Sequence, residues 1–306
     1  MTTDAVTGAT SYTGRFIAQR LAKSGRTVID LTRDPRHPHP LGDLVSSATL
    51  DFDHPDRLAG TLEGTENLYN TFWIRFERGQ ITYRWAVERT MILFEAARAA
   101  GVRRVVHISV VNAARDAPTA YFRAKAAVEE SLASLGVPYA VIRPTVTFGP
   151  GDILLNNLAW TLRRLPLFGI PGDGRYPIQP VHVDDIADLA VRLGSAVEEE
   201  MVVDAAGPDI FTFNEYVSVV RAAVRSRSLI VHLPVSAALA AARLLGLAVR
   251  DVVLTRDEVT ELQSRLMASD QPPAGKVHLA EWLAGYADAL GWTWASELDR
   301  HFRHGA

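Results

Sequence analysis

Tyr121 and Lys125 stand four residues apart in the stretch YFRAK. On a helix this spacing puts both side chains on one face, one turn apart. An ammonium beside a phenol favours the phenolate and lowers its pKa. Such a tyrosine gives a proton to a carbonyl oxygen as a hydride arrives, or takes one in the reverse direction. The lysine is also suited to hydrogen-bond a ribose. Ser109, just past the apolar run VVHI, is placed to bond the same substrate oxygen. An ordinary amphipathic helix with a surface tyrosine and an exposed lysine has this spacing by chance, so its meaning depends on what precedes it.

What precedes it is VTGATSYTG, Val6 to Gly14. Gly8 and Gly14 bracket a turn between a first strand and a first helix. Glycine permits the sharp turn and the close approach of backbone to a pyrophosphate, and the helix start offers unpaired N–H groups at a positive dipole end. Thr10, Ser11, Tyr12 and Thr13 fill the turn and the first helical turn. Ser11 stands where a second glycine is expected; it is small, and its hydroxyl is itself a phosphate donor. The second strand ends in LTRDP. Sites for NAD place an acid there to accept from the ribose 2′-OH. Here Arg33, helped by Thr32 or Arg36, is suited to a 2′-phosphate; Asp34 follows at once, and Asp30 lies mid-strand, too early to reach the ribose. The expected cofactor is NADP(H) in preference to NAD(H). Asp51 and Phe52 in TLDFD are expected at the adenine, and Asn70 and Thr71 in YNTFW beside the ribose nearer the nicotinamide. Pro144 and Thr145, closing VPYAVIRPT, complete the expected cofactor-binding set.

These residues need a frame. DAVTG, TVIDLTR, ENLYNTFW, VRRVVHIS and VPYAVIRP read as strands, separated by helical stretches such as YTGRFIAQRLAKSG, with Phe16, Ile17, Arg20 and Leu21 at helical spacing, and YRWAVERTMILFEAARAAG, with Val87, Met91 and Phe94 on one face. Gly25 and Gly101 stop those two helices. Strand and helix alternating at this period predict an α/β fold, a doubly wound parallel Rossmann sheet with right-handed crossovers. Residues 1–150 form the predicted dinucleotide-binding core, and 178–205 (a strand, then a helix with Asp184 or Asp185 as N-cap, then a strand) return to it. Residues 151–177 and 206–306, Gly/Pro-rich at first and helical from about Phe211, form a smaller, mainly helical lobe for substrate.

Composition narrows the chemistry. With 306 residues, 48% hydrophobic and 22% charged, the chain has the makeup of a globular protein with a sizeable core. It has no cysteine, which removes disulfides, zinc–thiolate sites, iron–sulfur clusters and cysteine nucleophiles. The net charge of −3 gives no general pull toward nucleic acid or an acidic membrane, and VSAALAAARLLGLAV, the longest apolar run, is interrupted by Arg243. A cytoplasmic protein follows, monomer or homodimer, with a small-molecule substrate and neither nucleic acid nor membrane as partner. The nine histidines include no HExxH; His37 and His39 lie in a proline loop, and His107 and His182 fall in strands as satisfied core residues. No metal is expected. There is no Gly-x-Ser-x-Gly elbow and no P-loop lysine.

In this order, TGATSYTG, TRDP, YFRAK, VIRPTVTFGPGD and IQPVHVDDIADLA resemble the extended and atypical short-chain dehydrogenase/reductase superfamily, its NmrA-like and NAD(P)-dependent epimerase/dehydratase branches above all. The chain is also similar to the group containing the NADPH-binding accessory subunit of respiratory complex I. The resemblance covers residues 1 to about 205 well and the helical remainder loosely. It implies a bound NADP(H) or NAD(H) and a substrate lobe built from the C-terminal part. Three departures stand out: Ser11 for the middle glycine; VVNA after Ser109, 12 positions before Tyr121; and Ala86 where many relatives carry a proton-relay asparagine. The atypical branches include members that bind the nucleotide and turn over nothing.

The segment WIRFERGQITYRW, after the fourth strand, is expected over the nicotinamide end, with Trp73 and Arg75 as candidate substrate contacts; Phe148 and Asn157 in TFGPGDILLNNLAW are two more. Aromatic rings with arginines suit a flat or anionic substrate. The same aromatics also suit packing on the C-terminal lobe. The leading expectation is an oxidoreductase for a small carbonyl, alcohol or quinone-like compound, with Tyr121 as acid/base, Lys125 as its tuner and ribose anchor, and Ser109 as oxyanion partner. A non-catalytic NADP(H)-binding regulator or accessory subunit is the alternative. A nucleotide-sugar epimerase or dehydratase is disfavoured because no diphosphate-sugar site is evident.

Overall fold

A computed structural model describes residues 2–35, 39, 41–197 and 200–301; Arg36 and His37 lie outside the described residues. The chain divides into two compact units, Met1–Pro144 with Val183–Ala205, and Thr145–His182 with Ala206–Ala306. The first unit begins β1 (Thr3–Thr7), α1 (Tyr12–Lys23), β2 (Thr27–Thr32), β3 (Val45–Thr49), α2 (Pro55–Leu62) and β4 (Thr65–Asn70). It continues α3 (Tyr83–Ala99), β5 (Arg104–Ile108), α4 (Ala120–Ala133) and β6 (Tyr139–Pro144). The second unit opens with β7 (Val146–Phe148), α5 (Ile153–Arg164), β8 (Leu167–Pro171), β9 (Pro177–Ile178) and β10 (Pro180–His182). The chain returns to the first unit for α6 (Val183–Gly194) and β11 (Glu200–Ala205). It closes in the second with β12 (Phe211–Thr212), α7 (Phe213–Ala223), β13 (Leu229–Leu233), α8 (Val235–Val249), α9 (Arg256–Gln263), α10 (Leu279–Tyr286) and α11 (Glu297–His301).

The first unit is a seven-stranded sheet in the order β11-β6-β5-β4-β1-β2-β3, every pairing parallel. This is the doubly wound Rossmann frame. Its central strands TDAVT and RVVHI are buried almost along their whole length, polar residues Asp4, Thr7, Arg104 and His107 included, because helices cover both faces. The order reverses between β1 and β4, so the crevice for a ligand lies at the carboxyl ends of those two strands. Leu31, Leu68, Leu93, Phe94, Val105, Val128 and Val141 pack in one core cluster beneath; each such side chain, fully buried, contributes ~1.5–3 kcal/mol.

Two helices differ from expectation. In α3 the inward face runs through Tyr83, Ala86, Thr90, Leu93 and Ala97, while Met91 is 43% exposed. Phe94 is inside, but the 83/86/90/93/97 progression sets the stripe. In α6 the helix starts at Val183, so Asp184 and Asp185 lie in its first turn rather than ahead of it. Asp184 and Asp188 there hold Arg20, bonding α6 to α1. That explains a charged residue on the inner stripe of α1.

The second unit contains three two-stranded pairings, β10 with β7, β12 with β9 and β13 with β8. The parallel pair of LFGIP and LIVHL has no counterpart in the sequence pattern. Its core gathers Leu155, Leu162, Val217, Val220, Leu279 and Leu283.

Candidate active site

The glycine loop is tied down by β2. Gly8 N–H donates to Leu31 O at 2.9 Å, and Ala9 N–H donates to the Asp30 carboxylate at 2.6 Å. Asp30 is 1% exposed, and burial pushes its carboxyl above the usual range, with the Ala9 N–H pulling the other way. The acid in the middle of TVIDLT is therefore a prop beneath the loop. Gly8 has φ +64°. A β-carbon on Gly14 would lie 2.2 Å from Gly8 O, so the crossing of loop and helix requires glycine there. The Ser11 hydroxyl lies 3.0 and 3.1 Å from where β-carbons of Gly8 and Gly14 would stand. A serine fills the space between the two glycines, and the loop closes without a third.

Ser11 is the N-cap of α1, yet its side chain makes no capping bond, and the first turn carries no acid. No capping side chain and no acid therefore compete with an anion at the start of α1, where the dipole favours one. Thr10 is exposed, and Ser11, Tyr12 and Thr13 are half-buried around this start. Arg33 is exposed and pairs with no described acid. Asp51 and Phe52 fall just after β3: Asp51 holds His54 at 2.8 Å, and Phe52 packs on Phe72 with ring centroids 5.1 Å apart.

At the switch point the polar ends of three strands interlock. Thr7 hydroxyl donates to Asn70 Oδ1 at 3.1 Å and accepts from Thr71 N–H at 2.7 Å; Thr71 hydroxyl donates to Thr7 O at 2.6 Å. Asn70 is 0% exposed and its other end donates to His107 Nδ1 at 3.0 Å. The side chain of Asn70 thus fixes the strand ends from within rather than reaching a ribose, which corrects the sequence expectation. Because Nδ1 accepts, His107 is the Nε2–H tautomer; burial, then the nearby Lys125, holds its pKa well below the ordinary value. Its Nε2 has no hydrogen-bond partner among the described residues, so the core histidine is satisfied at one nitrogen only.

Tyr121 and Lys125 lie on α4 as their spacing predicts. Lys125 is 2% exposed; its ammonium donates to Ile108 O at 2.9 Å and lies 4.2 Å from the centroid of the Trp73 indole. Burial lowers its pKa to about 7, with Glu129, one turn on, opposing. Arg143 of β6 anchors Glu129 through its guanidinium. The Tyr121 ring meets Trp73, Tyr83 and Phe122 edge-on, at 6.2, 5.8 and 5.5 Å. One indole therefore touches both members of the pair. Ser109, the residue after the lysine's carbonyl partner, is 6% exposed with a buried hydroxyl that has no partner among the described residues. Trp73 Nε1 is likewise buried without one. Arg75 lends its carbonyl to the Tyr83 hydroxyl at 3.0 Å, and its guanidinium lies 5.8 Å from the Phe76 ring.

The buried, unpartnered donors of Ser109 and Trp73 and the glycine crossing at the start of α1 fit a dinucleotide. Sequence reasoning missed the load on Asp30 and the role of Glu129. Both left signals: an acid inside an apolar strand, and an acid continuing the 121, 125 face at 129.

Pro144 ends β6 in the first unit, and Thr145 opens the second, buried. Phe148 and Asn157 are corrected. Phe148 is 0% exposed against His182 and Trp282. Asn157 donates to Ala295 O at 2.8 Å and accepts from Ala295 N–H at 2.9 Å, a backbone clamp. No described group of three or more His, Asp or Glu is arranged to hold a metal.

Residues 8–150 match the NAD(P)H-binding family. The chain is 27% identical over 252 residues to the mitochondrial NADH dehydrogenase (ubiquinone) 1 alpha subcomplex subunit 9 of Arabidopsis thaliana, covering 78% of this chain and 62% of that relative's length. Among solved structures it resembles an NADPH-dependent quinone oxidoreductase of Escherichia coli bound to NADPH, with TM-score 0.74 and 21% identity over 92% of this chain and 98% of that one. It also resembles the Citrobacter triphenylmethane reductase bound to NADP(H), with TM-score 0.73 and 18% identity over 94% of this chain and 100% of that one. At these identities the two structures speak for the fold alone.

Proposed function

Residues 8–150 are an NAD(P)H-binding domain in a chain homologous to mitochondrial NADH dehydrogenase subunits, and from that premise we propose an NADP(H)-preferring oxidoreductase acting on a small carbonyl, alcohol or quinone-like compound. The single observation that carries this reading is the Tyr121–Trp73–Lys125 contact beside the unpartnered Ser109 hydroxyl. When bound, the nicotinamide supplies or accepts a hydride. The amides opening α1 hold its pyrophosphate, and Lys125 meets its ribose. Tyr121 hands a proton to the substrate oxygen, and Ser109 donates a hydrogen bond to that oxygen. The ammonium of Lys125, close to neutrality in its pKa, favours the tyrosinate that the transfer leaves behind.

The engagement of Asp30 with Ala9 supports the phosphorylated cofactor: the acid of β2 is committed below the loop, and Arg33 stands exposed after it. Arg33→Ala is expected to weaken NADPH roughly ten- to hundred-fold, the worth of one charge-assisted contact, and to leave NADH unchanged. Equal losses for both nucleotides, or none, contradict the assignment.

Tyr121→Phe is expected to lower turnover by ~10²–10⁴-fold with NADPH affinity within about two-fold of wild type. The measurement is NADPH oxidation across a panel of carbonyls and quinones, with calorimetry for the affinity. Unchanged turnover in the variant removes Tyr121 from the chemistry. The homology to NADH dehydrogenase subunits favours a second reading, an accessory subunit or regulator that holds NADP(H) without turnover; tight binding with no oxidation across the panel selects it.

A further inference from the structure

Helix α8 is apolar almost all the way round. Its fifteen residues, VSAALAAARLLGLAV, carry one charge, Arg243. A helix of that kind belongs in a core, yet Ala238 and Gly246 are its only buried residues. Leu244 and Leu247 are 70% and 74% exposed. Together with the exposed Ala237, Ala240, Ala241 and Ala248 they follow helical spacing and make one outward stripe. The opposite side of α8 packs on the β8–β13 pair. The first residues of those two strands, Leu167 and Leu229, are themselves 52% and 61% exposed.

The acidic and basic residues in the sequence through this helix have one sign. From Arg225 to Arg250 the chain has arginines at 225, 227, 243 and 250 and no Asp or Glu. All four are exposed, and none pairs with a described acid. The next acid, Asp251, is 8% exposed and engaged by Trp294 and the backbone of Glu297. The net charge of −3 conceals this basic stretch because the acids lie elsewhere in the chain.

We propose that the outer face of α8 docks on an anionic lipid bilayer, its leucines entering the headgroup–acyl boundary and the flanking arginines meeting lipid phosphates. Long cationic side chains bury their stems along apolar surface and keep the charged head at the interface. The attachment is peripheral, since no described helix is long and apolar enough to cross a membrane. The stripe's composition separates a bilayer from a protein partner. Protein-binding hot spots are rich in Trp and Tyr and poor in Leu, and Ala is depleted at such interfaces; this stripe holds leucine and alanine alone.

The test is flotation of the full chain with vesicles of phosphatidylcholine alone and of phosphatidylcholine mixed with phosphatidylglycerol. Binding is expected to be at least roughly ten-fold tighter on the anionic vesicles, as each arginine near such a surface adds about five-fold, and to fall as salt is raised. The paired substitution Leu244→Asp/Leu247→Asp is expected to remove binding, and Arg227→Gln/Arg243→Gln to weaken it at least ten-fold, both with the wild-type melting temperature and NADPH affinity. No binding to anionic vesicles, equal binding to both kinds, or binding unchanged in the leucine variant overturns the proposal. So does a wild-type dimer in light scattering that the leucine variant converts to monomer, because a second copy would then be what covers α8.

Discussion

Gly14→Ala is expected to abolish useful dinucleotide binding and to destabilise the first unit. The new β-carbon would stand 2.2 Å from Gly8 O and 2.9 Å from Gly8 C, both backbone atoms that no rotamer change can clear. Either the loop or the start of α1 must shift. Overpacking of this kind costs ~1–3 kcal/mol or more in stability. The shift also removes the amides from the pyrophosphate; losing two hydrogen bonds to a charged group costs ~3 kcal/mol or more, roughly a hundred-fold in affinity. Gly60→Ala is the matched control. Gly60 lies in α2 with open space where its β-carbon would go, so this change is expected to raise stability by about 0.5–1 kcal/mol and leave binding alone. Calorimetric titration with NADPH and urea melts of both variants check the pair. A Gly14→Ala chain that binds NADPH like wild type would mean that the α1 amides do not hold the ligand.

Lys125→Met is expected to make the ligand-free chain more stable below neutrality, with the advantage fading as pH rises. Burial places the lysine pKa at about 7 in the folded chain, whereas the unfolded chain keeps it near ~10.4. Over that interval the unfolded state binds the proton and the folded state does not, so wild-type stability climbs as pH rises from about 7 to about 10.4. Below that window both states are protonated and the folded chain carries the full penalty, on the order of 5 kcal/mol. Methionine removes the penalty, but it also removes the bond to Ile108 O and the contact with Trp73, together worth ~1–2 kcal/mol. The net gain is about 3 kcal/mol at pH 6, vanishing before pH 10.4. Urea unfolding at pH 6, 8 and 10 measures it. A stability difference that does not vary with pH would show that the lysine is not titrating in the folded chain near neutrality. The same variant is expected to lose NADPH affinity, so the residue trades stability for ligand.

The frame was legible in the sequence because its signals are local. Apolar strands closed by glycine turns, and helices with stops at Gly25 and Gly101, follow from periodicity and turn chemistry within a few residues. The glycine crossing was legible for the same reason, and so was the shared face of Tyr121 and Lys125. What escaped depends on partners distant in sequence. Asp30 reads as a misplaced ribose acid until Ala9 is found against it. Asn70 and Phe148 are ordinary candidates for lining a site until His107, Thr7 and Trp282 close over them. LIVHL has the β-branched run of a strand, but its partner LFGIP lies about sixty residues earlier, behind a proline-rich stretch that reads as loop. The indole over Lys125 comes from a different element altogether, and no spacing rule connects Trp73 to α4.

The most direct test of the account is calorimetric titration of the wild-type chain with NADPH and with NADH. One NADPH per chain is expected to bind, at least roughly ten-fold more tightly than NADH, since one charge-assisted contact separates the two. Absence of heat with either nucleotide, supported by crystals soaked in NADPH whose α1 groove stays empty, would contradict it.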